Sequence, residues 1–311
     1  MIDLHLHLDG SLRPETVREL LRKDGMEFSS EEMRAKLTVP DDCKDLNDYL
    51  RTFDYPVRVL NNGEALERAV RELGEDLFHQ GVTYAEIRFA PLLSANADFS
   101  VDEAVMAAVK GAMAAENEFS QLKLGIILCC MRGDFHEQNM ATVKAAHKYL
   151  GNYVCALDLA GAEALYPTEM FEEEFMLARK YNVPFTIHAG EAAGAESIWK
   201  ALEMGASRIG HGIRCIEDDV LVEYLARHEI PLEICPISNM QTKVFGDMEE
   251  YPLKELLERG VHATLNTDNR TVSNTNLSKE KKFLKKYCRI DEKDLELMRE
   301  YSRKAAFLPI K

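Results

Sequence analysis

"DLHLHLDGSL" (residues 3–12) alternates leucine with histidine and then stops at Asp-Gly. In a strand, residues two apart share a face, so Leu4, Leu6 and Leu8 line one side while His5 and His7 line the other. Imidazoles on adjacent same-face positions can coordinate one metal ion or hydrogen-bond inside a polar core. His-x-His also arises by chance and in tags, so the stretch alone decides neither. Its meaning turns on whether the strand is the first of a series, and on what the other members carry.

It heads a series of eight. After "IDLHL" (2–6) come "TYAEIRF" (83–89), "KLGIILCC" (123–130), "YVCALDL" (153–159), "VPFTI" (183–187), "SRIGH" (207–211), "PLEIC" (231–235) and "HATLN" (262–266). Between most of them lie stretches of helical periodicity, such as "DEAVMAAVKGAMAAENEF" (102–119) and "DVLVEYLARH" (219–228). Strands alternating with helices imply βαβ units and a parallel sheet. Eight such units predict an α/β fold of the (β/α)8 barrel type, with extra helices at the C-terminus. The alternative, a doubly wound sheet, is disfavoured because no Gly-x-Gly-x-x-Gly follows the first strand. No Walker-type loop occurs either.

The spacing is regular except between the first two strands, where roughly seventy residues intervene, a length that is usually functional. Four helical patterns fill the gap: "PETVRELLRK" (14–23), "SEEMRAKL" (30–37), "LNDYLRTFDYPVRVL" (46–60) and "EALERAVRELGEDLFHQ" (64–80). A helical insertion after a barrel strand, here residues 9–80, is expected to form a lid over the active-site face. No Pro/Gly/Ser linker or low-complexity tract divides the chain, so residues 1–311 read as a single domain.

Composition narrows the function classes. The 311 residues are 46% hydrophobic and 29% charged, the balance of a soluble globular protein. No long uncharged apolar stretch suggests a membrane span, and no targeting leader precedes the first strand. Seven cysteines without framework spacing predict reduced thiols and a cytoplasmic setting. A net charge of −15 disfavours nucleic acid or an anionic membrane as partner, and mildly disfavours a phosphorylated substrate. The basic run "KEKKFLKK" (279–286) could hold an anion, but Phe283 and Leu284 among its lysines make it a solvated helix face.

In a barrel, catalytic groups cluster where strands end and βα loops begin, and the polar residues here gather at such places. Strand one carries His5 and His7, then Asp9; strand five ends in "IHAGE" with His188 and Glu191. Strand six ends in "GHG" with His211, and strand eight in "LNTDN" with Asp268 and Asn269. Any one of these has a bland explanation: a strand-end histidine is commonly a hydrogen-bonded core residue, and an Asp after a strand is commonly a helix cap. His79, His136, His147, His228 and His262 fall in that class. Independent caps and core histidines, however, have no reason to select four C-terminal strand ends. Three histidines and an aspartate suit Zn²⁺ or another borderline divalent transition ion. With a water position left open, such a site acidifies water toward neutrality, and a glutamate three residues beyond a histidine ligand is placed to shuttle protons. Metal-assisted hydrolysis is the chemistry expected, with the substrate left open by these residues alone.

"HLHLDGSL", "HAGE", "GHG", "EICPISN" and "LNTDN", in this order, resemble the adenosine deaminase family of metal-dependent hydrolases, as do "YAEIRFAP" (84–91), "LCCMR" (128–132) and "DLAGAE" (158–163). The resemblance spans essentially the whole chain. It implies a barrel with one divalent metal, zinc or a similar transition ion, held by His5, His7, His188 and Asp268. It implies Glu191 as proton shuttle and His211 as the residue orienting the attacking hydroxide. Asp9 would bond a ribose hydroxyl, the Gly161 amide would meet purine N3, and Asn269 would face N7. Leu46, Tyr49, Leu50 and Phe53, at helical i, i+3, i+4, i+7 spacing, are either plain core or, by family position, the cap of a nucleoside pocket. The implied reaction is hydrolytic deamination of adenosine, and of 2′-deoxyadenosine, to the inosine product and ammonia. The rival substrates are adenine, a modified adenine nucleoside and AMP. Members acting on the free base tend to carry Glu where Asp9 stands, which favours a nucleoside. One departure stands out: most members have Asp-Asp after strand eight, where this chain has Asp268-Asn269. The Cys-based signature of cytidine-type zinc deaminases does not occur.

Overall fold

The structure, a computed structural model, describes residues 1–245 and 250–310. All eight aliphatic segments are strands: β1 (Ile2–His7), β2 (Tyr84–Phe89), β3 (Lys123–Met131), β4 (Val154–Ala160), β5 (Thr186–Ala189), β6 (Arg208–His211), β7 (Leu232–Ile234) and β8 (Ala263–Leu265). Hydrogen-bonded neighbours run parallel and in chain order, β1 to β4 in one sheet and β5 to β8 in the other. Two seams join the sheets. At one, Leu157 bridges to Phe185 and its N–H donates to Pro184 O at 2.9 Å. At the other, Leu6 bridges to Asp268, with His7 N–H donating to Asp268 O (2.7 Å) and Asp268 N–H to His5 O (2.8 Å). The ring therefore closes into the eight-stranded parallel barrel expected from the alternation.

The outer faces of the strands pack on helices. Leu6 and Leu8 of the opening stretch are fully buried in the main apolar cluster, with Ile87, Leu128, Ile187 and Ile209 from neighbouring strands. Helix starts follow local chemistry. Ser100 and Glu103 form a reciprocal capping box at Val101–Glu118, and the Asp218 carboxylate caps Asp219–Arg227. The run 279–286 lies in helix Leu277–Tyr287 with Leu284 buried, which is the solvated face expected of it. No described helix is long and apolar enough to cross a membrane.

The barrel interior departs from the usual branched-aliphatic layers. Arg88 is fully buried, donating through Nη1 to Asp158 (3.0 Å) and through Nη2 to Glu233 (2.9 Å) and Leu4 O (2.8 Å). Below it, Arg208 meets Glu233 Oε1 and Glu86 Oε2, each at 2.6 Å. The C-terminal tail covers this lower end: Phe307 stacks its ring 3.8 Å from the Arg208 guanidinium, and Arg208 Nη1 donates to Ala305 O.

Between β1 and β2 the chain forms helices Pro14–Lys23, Ser30–Leu37, Leu46–Leu50, Asp54–Val59 and Gly63–His79. The continuous helix expected over 46–60 is instead broken by a 3-10 turn, Arg51–Phe53. Pro56 explains the break: it has no N–H to give Thr52 O, and its ring crowds that carbonyl. Thr52 turns its hydroxyl back onto Tyr49 O at 2.8 Å.

Candidate active site

His5 and His7 lie on the inward face of β1, His188 at the end of β5, and Asp268 just beyond β8. One ligand atom from each falls within 4.8 Å of all the others. His5 Nε2 and His7 Nε2 each stand 3.4 Å from Asp268 Oδ1, and His7 Nε2 lies 3.1 Å from His188 Nε2. Donors at bonds of about 2.0–2.1 Å around a tetrahedral ion are about 3.3–3.4 Å apart, so the quartet has the right span. Its protonation also fits. His5 Nδ1 donates to Glu233 Oε2 at 2.8 Å and His188 Nδ1 to Asp158 Oδ2 at 2.9 Å, which turns both Nε2 lone pairs inward. His5 Nε2 is buried and makes no hydrogen bond, although it faces a carboxylate oxygen. Two acceptors held face to face call for a cation between them.

The electrostatics point the same way. Burial raises the Asp268 carboxyl, but His5, His211 and His7 outweigh it and hold the group well below the usual carboxylate range. Burial, together with His188 and His5, keeps His7 well below an ordinary imidazole despite Asp268. Anionic Asp268 and neutral His7 are in the states that bind metal; at His5 burial and Arg88 lower the imidazole, but its contacts with Asp268 and Glu233 outweigh them and raise it.

Glu191 and His211 flank the quartet, with His211 Nε2 3.6 Å from Glu191 Oε2 and both side chains buried. Burial pushes Glu191 well above the usual carboxylate range, and Asp268 and Glu163 add to the effect. Tyr251 OH donates to Asn239 Oδ1 at 2.8 Å, which fixes the amide so that Nδ2 donates to His211 Nδ1 at 3.0 Å. That bond places the His211 proton on Nε2, facing the centre. His211 (φ +58°) and Asp268 (φ +57°) both adopt the left-handed backbone. Asp and His are among the side chains that tolerate this region best.

A cavity of about 280 Å³ opens over these groups, lined also by Asp9, Gly161, Asn269, Leu46, Tyr49, Leu50 and Phe53. All the expected site residues except His5, which lies beneath the floor, therefore reach one cavity. Asp9 begins a 3-10 turn and accepts from Gly10 N at 3.1 Å, so its turn-forming role is real as well. Asn269 is no helix cap: the next helix begins at Leu277, capped by Asn276. The Asn269 amide lies against Gly10, where a Cβ would sit 1.8 Å from Oδ1. Tyr49 reaches from the insertion to Ser273 Oγ at 2.6 Å, tying Leu46–Leu50 to the loop after β8.

Sequence reading missed Asp158, Glu233 and Arg88, which orient the ligands, and Asn239, Arg132 and Glu163. A signal existed: "EIR", "LEI" and "LDL" place charges inside otherwise aliphatic strands, where a buried ion must find partners. Among the described residues, Arg132 is the one Arg or Lys lining the cavity. Its Nη atoms are committed to Tyr166 O, Thr168 Oγ1 and His188 O, at 2.6, 2.9 and 2.6 Å.

Comparison with known proteins fits this site. The family model described as Adenosine deaminase matches residues 1–311. An adenosine deaminase of Haemophilus ducreyi is 46% identical over 315 aligned residues, covering 99% of this chain and 92% of the relative. Among solved structures, an adenine deaminase from Arthrobacter aurescens superposes with a TM-score of 0.89 at 25% identity, covering 99% of this chain and 93% of that one. An amidohydrolase from Burkholderia ambifaria with bound Zn shares the fold, with a TM-score of 0.89 at 20% identity and coverage of 99% and 85%. The chain belongs to the adenosine deaminase family, metal-dependent hydrolases that act on a C–N bond.

Proposed function

We propose that this protein deaminates adenosine, and 2′-deoxyadenosine, to the corresponding inosine product and ammonia. The observation that carries this reading is the meeting of the His5–His7–His188–Asp268 quartet with the buried Glu191 carboxyl in one purine-sized cavity. The proposed native ion is Zn²⁺, which the three imidazoles and one carboxylate suit. When bound, it supplies a water acidified toward neutrality.

The chain's own residues do the rest. Glu191 donates a proton to ring N1, which makes C6 electrophilic, and takes one from the attacking water. His211, its proton held on Nε2 by Asn239, steadies the nucleophile. The Gly161 amide meets N3, Asn269 donates to N7, and Asp9 accepts from a ribose hydroxyl. Leu46, Tyr49, Leu50 and Phe53 cap the nucleoside, which makes residues 9–80 a lid that excludes water. Buried cysteines and an acidic chain support a cytoplasmic setting.

A nucleoside is favoured over a nucleotide because the Asp9 carboxylate, at the place that would meet a ribose hydroxyl, repels a phosphate. It is favoured over free adenine because the 46%-identical, full-length relative is an adenosine deaminase. The test is formation of the 6-oxopurine product by metal-replete protein from adenosine, 2′-deoxyadenosine, adenine, N6-methyladenosine and AMP, with ammonia as the co-product except for N6-methyladenosine, which releases methylamine. Adenosine should give the highest kcat/KM. Equal or higher kcat/KM for AMP or adenine would overturn the assignment.

A further inference from the structure

A carboxylate that takes no part in the chemistry proposed above organises the loop that does. Glu163 follows Gly161 by two residues in the loop after β4 and is buried. Its Oε1 accepts from Gly190 N (2.8 Å) and Ser197 Oγ (2.6 Å). Its Oε2 accepts from Glu191 N (3.0 Å), Ala192 N (2.7 Å) and Ala193 N (3.0 Å). Four consecutive amides after β5 thus converge on one side chain, with a hydroxyl as fifth donor. These N–H groups belong to a loop with no ladder partner, and buried amides left unpaired are costly. Backbone N–H groups gathered in this way form an anion-binding concavity, and the anion here is built into the chain.

The arrangement fixes more than its own loop. Gly190 adopts φ +73° and packs so closely that a Cβ would lie 2.4 Å from Ile198 Cδ1, so the turn has little room to shift. Ser197 Oγ also meets Thr168 Oγ1 at 2.8 Å, and Thr168 accepts from Arg132 Nη2, which in turn holds His188 O. One end of Glu163 is anchored beside Gly161, and the other grips the backbone of Glu191.

We propose that Glu163 is a positioning residue, which sets the Glu191 carboxyl against a purine held at Gly161 by clamping the amides of residues 190–193. The inference rests on the proposed role of Glu191, and its test is chosen to separate the two. Glu163→Gln keeps the volume but replaces one acceptor oxygen with an NH₂, so on one side donors face donors. Proton transfer is sensitive to displacements of this size, since misplacement by about 1 Å can cost roughly 10²-fold. Ground-state binding through Asp9, Gly161 and the apolar cap is not.

The experiment measures kcat, KM, metal content and melting temperature for Glu163→Gln, Glu191→Gln and the double variant. Affinity for 1-deazaadenosine, which lacks N1, is measured alongside. Glu163→Gln is expected to lower kcat at least tenfold, with KM, metal content and 1-deazaadenosine affinity within about threefold. Added to Glu191→Gln, it should lower kcat less than twofold further, because residues acting as one unit are non-additive. Near-normal kcat for Glu163→Gln, or the same loss in both backgrounds, would overturn the inference. Near-normal kcat for Glu191→Gln would instead overturn the functional reading beneath it. Should Glu163→Gln fail to fold, Ser197→Ala decides. It removes a single bond to Oε1 and should lower kcat twofold to fivefold at unchanged KM, while unchanged kcat would refute the clamp.

Discussion

Replacing Glu233 by Gln should weaken metal binding although Glu233 touches no ligand position itself. Its carboxylate accepts from His5 Nδ1 (2.8 Å), Arg88 Nη2 (2.9 Å) and Arg208 Nε (2.6 Å), all fully buried. Burial raises its pKa, but Arg88 and Arg208 outweigh that and hold it well below the usual range. A glutamine offers one oxygen and one NH₂. If the oxygen faces His5 and Arg88, the NH₂ opposes the Arg208 donor; if it faces Arg208, His5 Nδ1 loses its acceptor and the Nε2 lone pair is no longer enforced. Loss of such a partner behind a histidine ligand typically costs 10–100-fold in affinity, or about 1.4–2.7 kcal/mol. The metal-free protein should also lose stability, by up to about 3–5 kcal/mol, because two buried guanidiniums then share one anion fewer. The assay is Zn²⁺ titration of stripped protein against a chromogenic chelator, with melting of the metal-free forms measured separately. A folded variant binding Zn²⁺ within twofold of the parent would refute the assignment of Glu233 to the site.

Four further outcomes are expected. Stripping the metal should lower the melting temperature by roughly 5–15 °C and re-addition restore it, as for a ligand present at about 10³ times its Kd; an unchanged melting curve would remove the quartet from folding. Glu191→Gln should lower kcat by about 10²–10⁴-fold while KM stays within a few fold, and near-normal turnover would exclude it as proton carrier. Gly10→Ala should lower kcat/KM for adenosine about tenfold or more, since the new Cβ would stand 1.8 Å from Asn269 Oδ1 and displace that amide; wild-type kcat/KM would show that the contact yields freely. If Asn269 donates to N7, 7-deazaadenosine should bind about 1–3 kcal/mol more weakly than adenosine, because the donor is left buried and unpaired. Asn269→Ala should largely abolish that difference, and equal kcat/KM for the two compounds with the parent enzyme would give Asn269 another role.

The strand alternation and the polar strand ends were legible because both are local. "DLHLHL" fixes two imidazoles on one face whatever surrounds it, and a barrel sends C-terminal strand ends to one rim. The break at Arg51–Phe53 was legible in principle, since Pro56 sits in the stretch, yet apolar spacing continues through it. Leu46, Tyr49, Leu50 and Phe53 still line the cavity because a tight turn alters their phase little. The supporting charges were legible only as charges inside aliphatic strands, and their partners were not. Glu233 reaches His5 across 228 positions and Glu163 reaches Gly190 across 27. Such partners are chosen by strand register and loop geometry, which periodicity does not encode.

Asn269 in place of a second aspartate is consistent with the charge already present. Asp9, Glu191 and Asp268 line the same cavity, and Asp268 lies next to it in the chain. Burial lifts Asp9 to about 6, with Asp268 adding to the rise, and burial with Asp268 lifts Glu191 much further. A fourth carboxyl at position 269 could bond an acceptor such as N7 only when protonated, and would press its neighbours in the same direction when ionised. An amide carries its donors without a proton equilibrium. Its Oδ1 makes no hydrogen bond and lies against the Cα of Gly10, a position open only because residue 10 has no side chain. The glycine in "LDGSL" therefore does more than turn the chain: it lets Asn269 approach the end of β1 closely and, on the proposed reading, present an uncharged edge to the purine.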